Sequence, residues 1–336
     1  MRLGYGPWGE TLAEFVGAGR AAEDAGFESL WSAELHRSAF VPSAALASAT
    51  SRAQVGTGIA LAFVRSPMIT ALSALDLDDL ADGRFILGLG TGVQRLNADW
   101  HGVDIGQPGP HLRETVALIR TFIARAHLGA PIDVDGRYHR VRLRGYERPF
   151  PPRRTEIPIY LASMGPVLTT LAGEIADGWI AHELGSPRYL RDRLLPLLEA
   201  GLDRGERQRP QLTVTASACC VPYDDGRQAK RWAAGLVAFY ASVRTYTEFF
   251  EYHGFGAEAA AIQTAFRAGD TDAMIAACPD AMVDAFTLAG TPDEVRARLA
   301  EYEGVADVVK VTPPTHLVPG DVTRVVQERI LELFAA

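Results

Sequence analysis

Residues 80–92 read Leu80-Ala81-Asp82-Gly83-Arg84-Phe85-Ile86-Leu87-Gly88-Leu89-Gly90-Thr91-Gly92. Asp82-Gly83 is a turn pair, and it closes a helical pattern over Met68–Leu80 that Pro67 opens at the first helical position. Phe85–Leu89 is a short apolar run without polar alternation, the pattern of a strand covered on both faces. Glycines crowd its exit, where the backbone must pass close to something. A helix, a turn, a doubly buried strand and a glycine-rich exit together make one unit of a parallel α/β fold.

The unit recurs along the chain. Candidate strands lie near residues 2, 27, 55, 85, 158, 179, 213 and 308, and each is followed by a helical pattern. The helices are expected over Thr11–Ala25, Ser43–Ser51, Met68–Leu80, His111–His127, Val167–Ile175, Pro187–Ala200, Gly226–Tyr240, Pro292–Tyr302 with Thr291 as cap, and Asp321–Phe334. Eight strand–helix units predict an α/β chain folded as one (β/α)8 TIM barrel, a single domain over residues 1–336. A doubly wound sheet would alternate too, but it does not require eight units. Inserted segments are expected near 93–110, 131–157 and 244–288. In the first, glycines and prolines crowd the second half, and no helix is expected directly after Gly92. The second holds a hairpin, Ile132–Val134 and Tyr138–Leu143, around Asp135-Gly136. The third reads as several short helices with no strand.

The 336 residues carry 33 basic and 41 acidic side chains, a net charge of −8. A field of that sign disfavours nucleic acid and anionic membrane as main partners. Cys219, Cys220 and Cys278 form no Cys-x-x-Cys pair, which argues against a zinc site and a disulfide framework and for a reducing, cytoplasmic setting. No stretch is long and apolar enough to span a bilayer, and the first residues have no signal-peptide shape.

Several segments invite a functional reading. Gly4-Tyr5-Gly6-Pro7-Trp8-Gly9 matches G-x-G-x-x-G, but only Met1, Arg2 and Leu3 precede it, so it reads as a strand-exit loop. Ala162-Ser163-Met164-Gly165-Pro166 lies between a strand and a helix, whose free N–H groups suit a phosphate; Ser163 either adds a hydroxyl or simply caps the helix. Glu34, His36, His182 and His316 all follow predicted strands, so a barrel would gather them at its C-terminal mouth. Their spacing gives no compact metal signature, and no metal is expected.

Taken together, the motifs resemble those of the luciferase-like (β/α)8 superfamily, in particular its coenzyme F420-dependent oxidoreductases of the methylenetetrahydromethanopterin reductase type. The matching pieces are Ala25-Gly26-Phe27-Glu28-Ser29-Leu30-Trp31, Val55-Gly56-Thr57-Gly58-Ile59, Leu80–Phe85, Leu87–Gly92, Ile157–Ala162, Gly165-Pro166, Ala172–Trp179 and Ala289–Val295, in the family's order. The resemblance implies an oxidoreductase that passes a hydride between F420 and a small organic substrate, commonly as a homodimer. It implies a non-proline cis peptide at Gly58–Ile59, cofactor contacts at Thr91 and Gly92, and a phosphate loop of Ser163, Met164, Gly165 and Pro166. Glu34 keeps the family's acidic position after the second strand, and the place of Glu34 and His36 at that predicted strand exit assigns His36 the proton transfer, with Glu34 assisting. One departure stands out: many relatives have an acidic residue followed directly by histidine, whereas this chain reads Glu34-Leu35-His36. The alternatives are an FMN-dependent monooxygenase and a non-enzymatic flavin-binding protein.

Overall fold

A computed structural model describes residues 1–335. Eight strands carry the fold: β1 (Arg2–Tyr5), β2 (Ser29–Ser32), β3 (Gln54–Thr57), β4 (Phe85–Gly90), β5 (Ile159–Ala162), β6 (Gly178–Ile180), β7 (Thr213–Pro222) and β8 (Val308–Thr312). Within each of the two units described below the pairings among them are parallel, and helices separate the strands in sequence. The fold is a (β/α)8 barrel.

The chain forms two compact units. One comprises Glu28–Ala181 and Leu194–Val214. In it β2 to β6 lie side by side in sequence order. Their inner faces alternate bulk with glycine: Trp31 faces Gly56, which faces Ile86, and Tyr160 stands between Gly88 and Gly178. A Cβ on Gly56 would fall 2.5 Å from the Trp31 ring, and one on Gly178 2.5 Å from the Tyr160 ring. Trp31, Ile86, Tyr160 and Ile180 thus interlock as a buried cluster, with Ile59 and Ala162 packed against it. Gly88 is fixed by backbone approach instead. Its Cβ would lie 1.9 Å from the Thr57 carbonyl oxygen. The Thr57 hydroxyl bridges the two strands, donating to the Gly88 carbonyl at 2.7 Å and accepting its N–H at 2.9 Å.

The other unit comprises Met1–Phe27, His182–Arg193 and Thr215–Ala336. Here β8 lies between β1 and β7. Tyr5 faces outward, donating to Gln327 of the helix Gly320–Phe334 and lying 5.1 Å from the Phe27 ring. Two helices of this unit begin with reciprocal capping boxes, Thr11 with Glu14 and Thr291 with Glu294.

Three expectations are corrected. A helix, Gln94–His101, follows Gly92 almost at once. Its breakers, Gly102, Gly106, Pro108 and Gly109, all lie beyond its end, and Gly102 ends it in the left-handed conformation. The segment 244–288 does contain the start of a strand: Thr287–Gly290 pairs in parallel with Cys219–Pro222, the last residues of β7. β7 runs beyond its pairing with β8, which leaves a free edge there for one more strand. The expected helix Pro187–Ala200 is divided, with a π-turn over Leu190–Leu194 before the helix Leu195–Arg204. Pro196 has no N–H to continue the ladder from the preceding turn. The hairpin forms as expected, Ile132–Asp135 against Arg140–Leu143.

Candidate functional site

Beyond β2 the chain leaves the sheet, and Glu34 ties this exit to that of β3. Its N–H donates to the Ile59 carbonyl at 3.0 Å. Its carboxylate accepts the Leu61 N–H at 2.8 Å and both terminal nitrogens of Arg65, one of them at 2.8 Å. The Gly58–Ile59 peptide is cis, and the Gly58 N–H donates to Ser32 at 2.7 Å. Glu34 therefore grips the backbone on both sides of Ala60, directly after Ile59. Burial pushes its carboxyl upward, but Arg65 and the Leu61 N–H outweigh that and hold it below the usual carboxylate range. Arg65 also lies 5.1 Å from the Phe40 ring centre. His36 sits two residues on in the same loop, with its side chain exposed.

The β4 exit lies beside this loop. Ala62 donates to the Gly90 carbonyl, and a Cβ on Gly90 would come within 2.9 Å of the Ile59 side chain. Gly92 adopts a left-handed φ of 65° over Leu61. Asn97, fully buried, holds this turn by donating to the carbonyls of Thr91 at 2.9 Å and Val93 at 3.0 Å. Both carbonyls therefore turn inward. In a trans peptide the N–H points opposite to its carbonyl, so the Gly92 and Gln94 N–H groups turn away from Asn97.

At β5, Ser163 does not cap the following helix. Its hydroxyl accepts the Trp179 indole N–H at 2.8 Å and shares a 3.0 Å hydrogen bond with Thr169. Gly165 takes the cap position, and no side chain caps the helix Pro166–Ile175. Met164 is half-buried, Gly165 and Pro166 are exposed, and a Cβ on Gly165 would meet nothing within 4 Å. The expected residues Glu34, His36, Gly58, Ile59, Thr91, Gly92 and Ser163–Pro166 thus stand at the C-terminal ends of the successive strands β2 to β5.

His182 and His316 belong to the other unit. His182 Nδ1 accepts the Leu184 N–H at 3.2 Å, which puts the proton of the neutral ring on Nε2. Burial, with Lys310 and His316 nearby, takes its pKa down to about 4 despite Glu183. The ring is neutral near pH 7 and rests against Tyr240 and Tyr246, at 4.6 and 4.8 Å.

Two contributors were not singled out in the sequence. Arg65 precedes the Ser66-Pro67 helix start, and its only signal is a lone charge next to an apolar strand exit. Asn97 lies inside the helix that was not expected. Phe63 stacks on His111 at 4.0 Å, and His111 stacks in turn on Tyr138 of the hairpin turn at 4.4 Å.

The sequence matches the luciferase-like monooxygenase family over residues 2–307. The chain belongs to that family. Its luciferase-like members are enzymes, and among relatives is a 5,10-methylenetetrahydromethanopterin reductase of Methanolobus tindarius, 31% identical over 300 residues that make up 88% of each chain. Among solved structures, the coenzyme F420-dependent tetrahydromethanopterin reductase of Methanopyrus kandleri superposes with a TM-score of 0.85. It is 24% identical, and the match covers 100% of this chain and 98% of that one. The oxygenating component of 3,6-diketocamphane monooxygenase from Pseudomonas putida, in complex with FMN, superposes with a TM-score of 0.72 at 19% identity, covering 100% and 97%. Both structures share the luciferase-like barrel fold with this chain.

Proposed function

We propose that this member of the family is a coenzyme F420-dependent oxidoreductase that passes a hydride between the deazaflavin and a small organic substrate. The observation that carries the reading is the Glu34–Arg65–Leu61 clamp at the β3 exit, beside the Gly92 turn and the uncapped helix at Pro166. These residues fit a phosphate-bearing cofactor. The first-turn N–H groups after Gly165 have no side-chain cap, and the space beside Gly165 is open. When bound, the cofactor supplies the ring carbon that gives or takes the hydride. His36 exchanges the accompanying proton with the substrate, since an imidazole can both give and take one. Glu34 is a positioning residue in this reading, because Arg65 and Leu61 occupy its carboxylate. Ile59 and Trp31 form the apolar wall behind the β3 exit.

A spectral titration with F420, run beside one with FMN, tests the reading. Binding of F420 together with hydride transfer to or from one of a panel of ketones, alcohols and unsaturated compounds is the expected result. Tight FMN binding without F420 binding would overturn it in favour of the FMN-dependent monooxygenase. Cofactor binding without turnover on any panel member would favour a flavin-binding protein. In this reading the chain works as a cytoplasmic homodimer, for which light scattering should give twice the mass of the chain.

A further inference from the structure

The chain contains 31 arginines and only two lysines, Lys230 and Lys310. Lys230 has a conventional place, donating to Asp284 at 2.8 Å. Lys310 is 8% exposed, on β8, and makes neither a hydrogen bond nor an ion pair among the described residues. Tyr5 of β1 faces the outer helix, so its neighbour Gly4 faces inward, and Gly4 is in register with Lys310. On the other flank Lys310 is in register with Ser217 of β7. Thr215, two residues before Ser217, shares its face. Ser217 and Thr215 are 1% and 0% exposed, and neither hydroxyl has a hydrogen-bond partner among the described residues.

Three polar side chains thus lie on one inner wall of this unit, flanked by a glycine; among the described residues the two hydroxyls have no hydrogen-bond partner, and the Lys310 ammonium has only the through-space attraction of the Glu183 carboxylate. Buried polar groups are normally paired, because each unpaired one forfeits its hydration. Two residues further along β8, Thr312 donates to Glu183 at 3.2 Å, and Tyr240 donates to the same carboxylate at 3.2 Å. Glu183 therefore has hydroxyl partners of its own. Its charge sets a limit on any anion bound nearby, favouring one negative charge over two.

We propose that Lys310, Ser217 and Thr215 form a carboxylate-binding subsite. The ammonium supplies the charge and the two hydroxyls donate to the carboxylate oxygens. In a chain that uses arginine almost everywhere else, lysine at this position provides a compact cation that fits beside Gly4 and Ser217, where a planar guanidinium demands more room. The occupant is a carboxylic acid of low charge. Its identity as the substrate of hydride transfer rests on the reading given above, whereas the subsite does not.

The two lysines make a direct test possible in the intact protein. Labelling with [ε-13C]lysine gives two ε-methylene signals, which Lys230→Arg assigns. Sodium acetate, propionate and benzoate are titrated against sodium chloride of equal ionic strength and against acetamide. A saturable shift of the Lys310 signal with a carboxylate, absent with acetamide and chloride and absent at Lys230, is expected. Ser217→Ala should weaken that binding roughly tenfold, the loss of one hydrogen bond to a charged group, while leaving the Lys310 signal in place without ligand. A Lys310 signal that ignores all three carboxylates, or that follows acetamide or chloride equally, would overturn the subsite. The F420 titration is read separately, so failure of one proposal leaves the other standing.

Discussion

Glu34 has its carboxylate occupied on two sides, and this decides what its replacement should do. Glu34→Gln keeps an acceptor for the Leu61 N–H but loses the charge that Arg65 requires. Glu34→Ala loses both, and with the pair largely buried should cost about 2–3 kcal/mol in urea unfolding. The folded-state pKa of Glu34 is depressed, so this contribution is complete above the unfolded carboxylate pKa and fades as pH falls through the folded value. The difference between wild type and Glu34→Gln should therefore shrink on acidification; a constant difference would remove the ion pair as its source. His36 is exposed and uninvolved in the clamp, so His36→Gln should leave F420 affinity intact and slow single-turnover hydride transfer by roughly 10²-fold. An unchanged rate would remove its proton role. His36 was legible in the sequence because a histidine after a strand is conspicuous. That Glu34 is a clamp was not, since its partner Arg65 comes from a different strand exit.

At the level of elements, two glycines, one within a strand and one at a strand exit, should respond differently to alanine. At Gly88 a methyl group would be driven into the Thr57 carbonyl, and β3 and β4 would have to separate. Gly88→Ala should cost at least about 3 kcal/mol or abolish folding. Gly165 has open space and an extended backbone, so Gly165→Ala should unfold within about 0.5 kcal/mol of wild type. Equal losses at the two positions would contradict the packing. The hairpin has its own anchor: Glu114 accepts the N–H groups of Arg137, Tyr138 and His139, at 3.1, 2.8 and 3.3 Å. Glu114→Ala should speed amide exchange at these residues while the β4 amides stay protected. The elements themselves were legible from apolar runs, caps and turn pairs. The helix Gln94–His101 was not, because the breakers that follow it were read as belonging to the whole segment. The strand Thr287–Gly290 was hidden because only the length of β7 creates an edge for it.

At the scale of the whole molecule, the two units are interleaved in sequence. One is assembled from three stretches of chain and the other from two, so neither is a contiguous piece that could be excised. We expect a single cooperative unfolding transition, consistent with one domain over 1–336. Trp31 and Trp179 report on one unit, Trp8 and Trp232 on the other. Single-tryptophan variants should give coincident urea midpoints; midpoints that differ would show two independent folding units.

What the sequence determined alone was the periodic part: strand and helix alternation, the strand exits and the residues that stand on them. These depend on local backbone preference and on burial over a few residues, which neighbours in the chain record. Only the tertiary structure decided which groups at those exits are already committed. Ser163 is spent on Trp179 and Thr169, Glu34 on Arg65, and Asn97 on its own turn, whereas Lys310 has no hydrogen-bond partner among the described residues. Hydrogen-bond pairing over tens of residues depends on strand register and side-chain direction, and neither is written in the local order of residues.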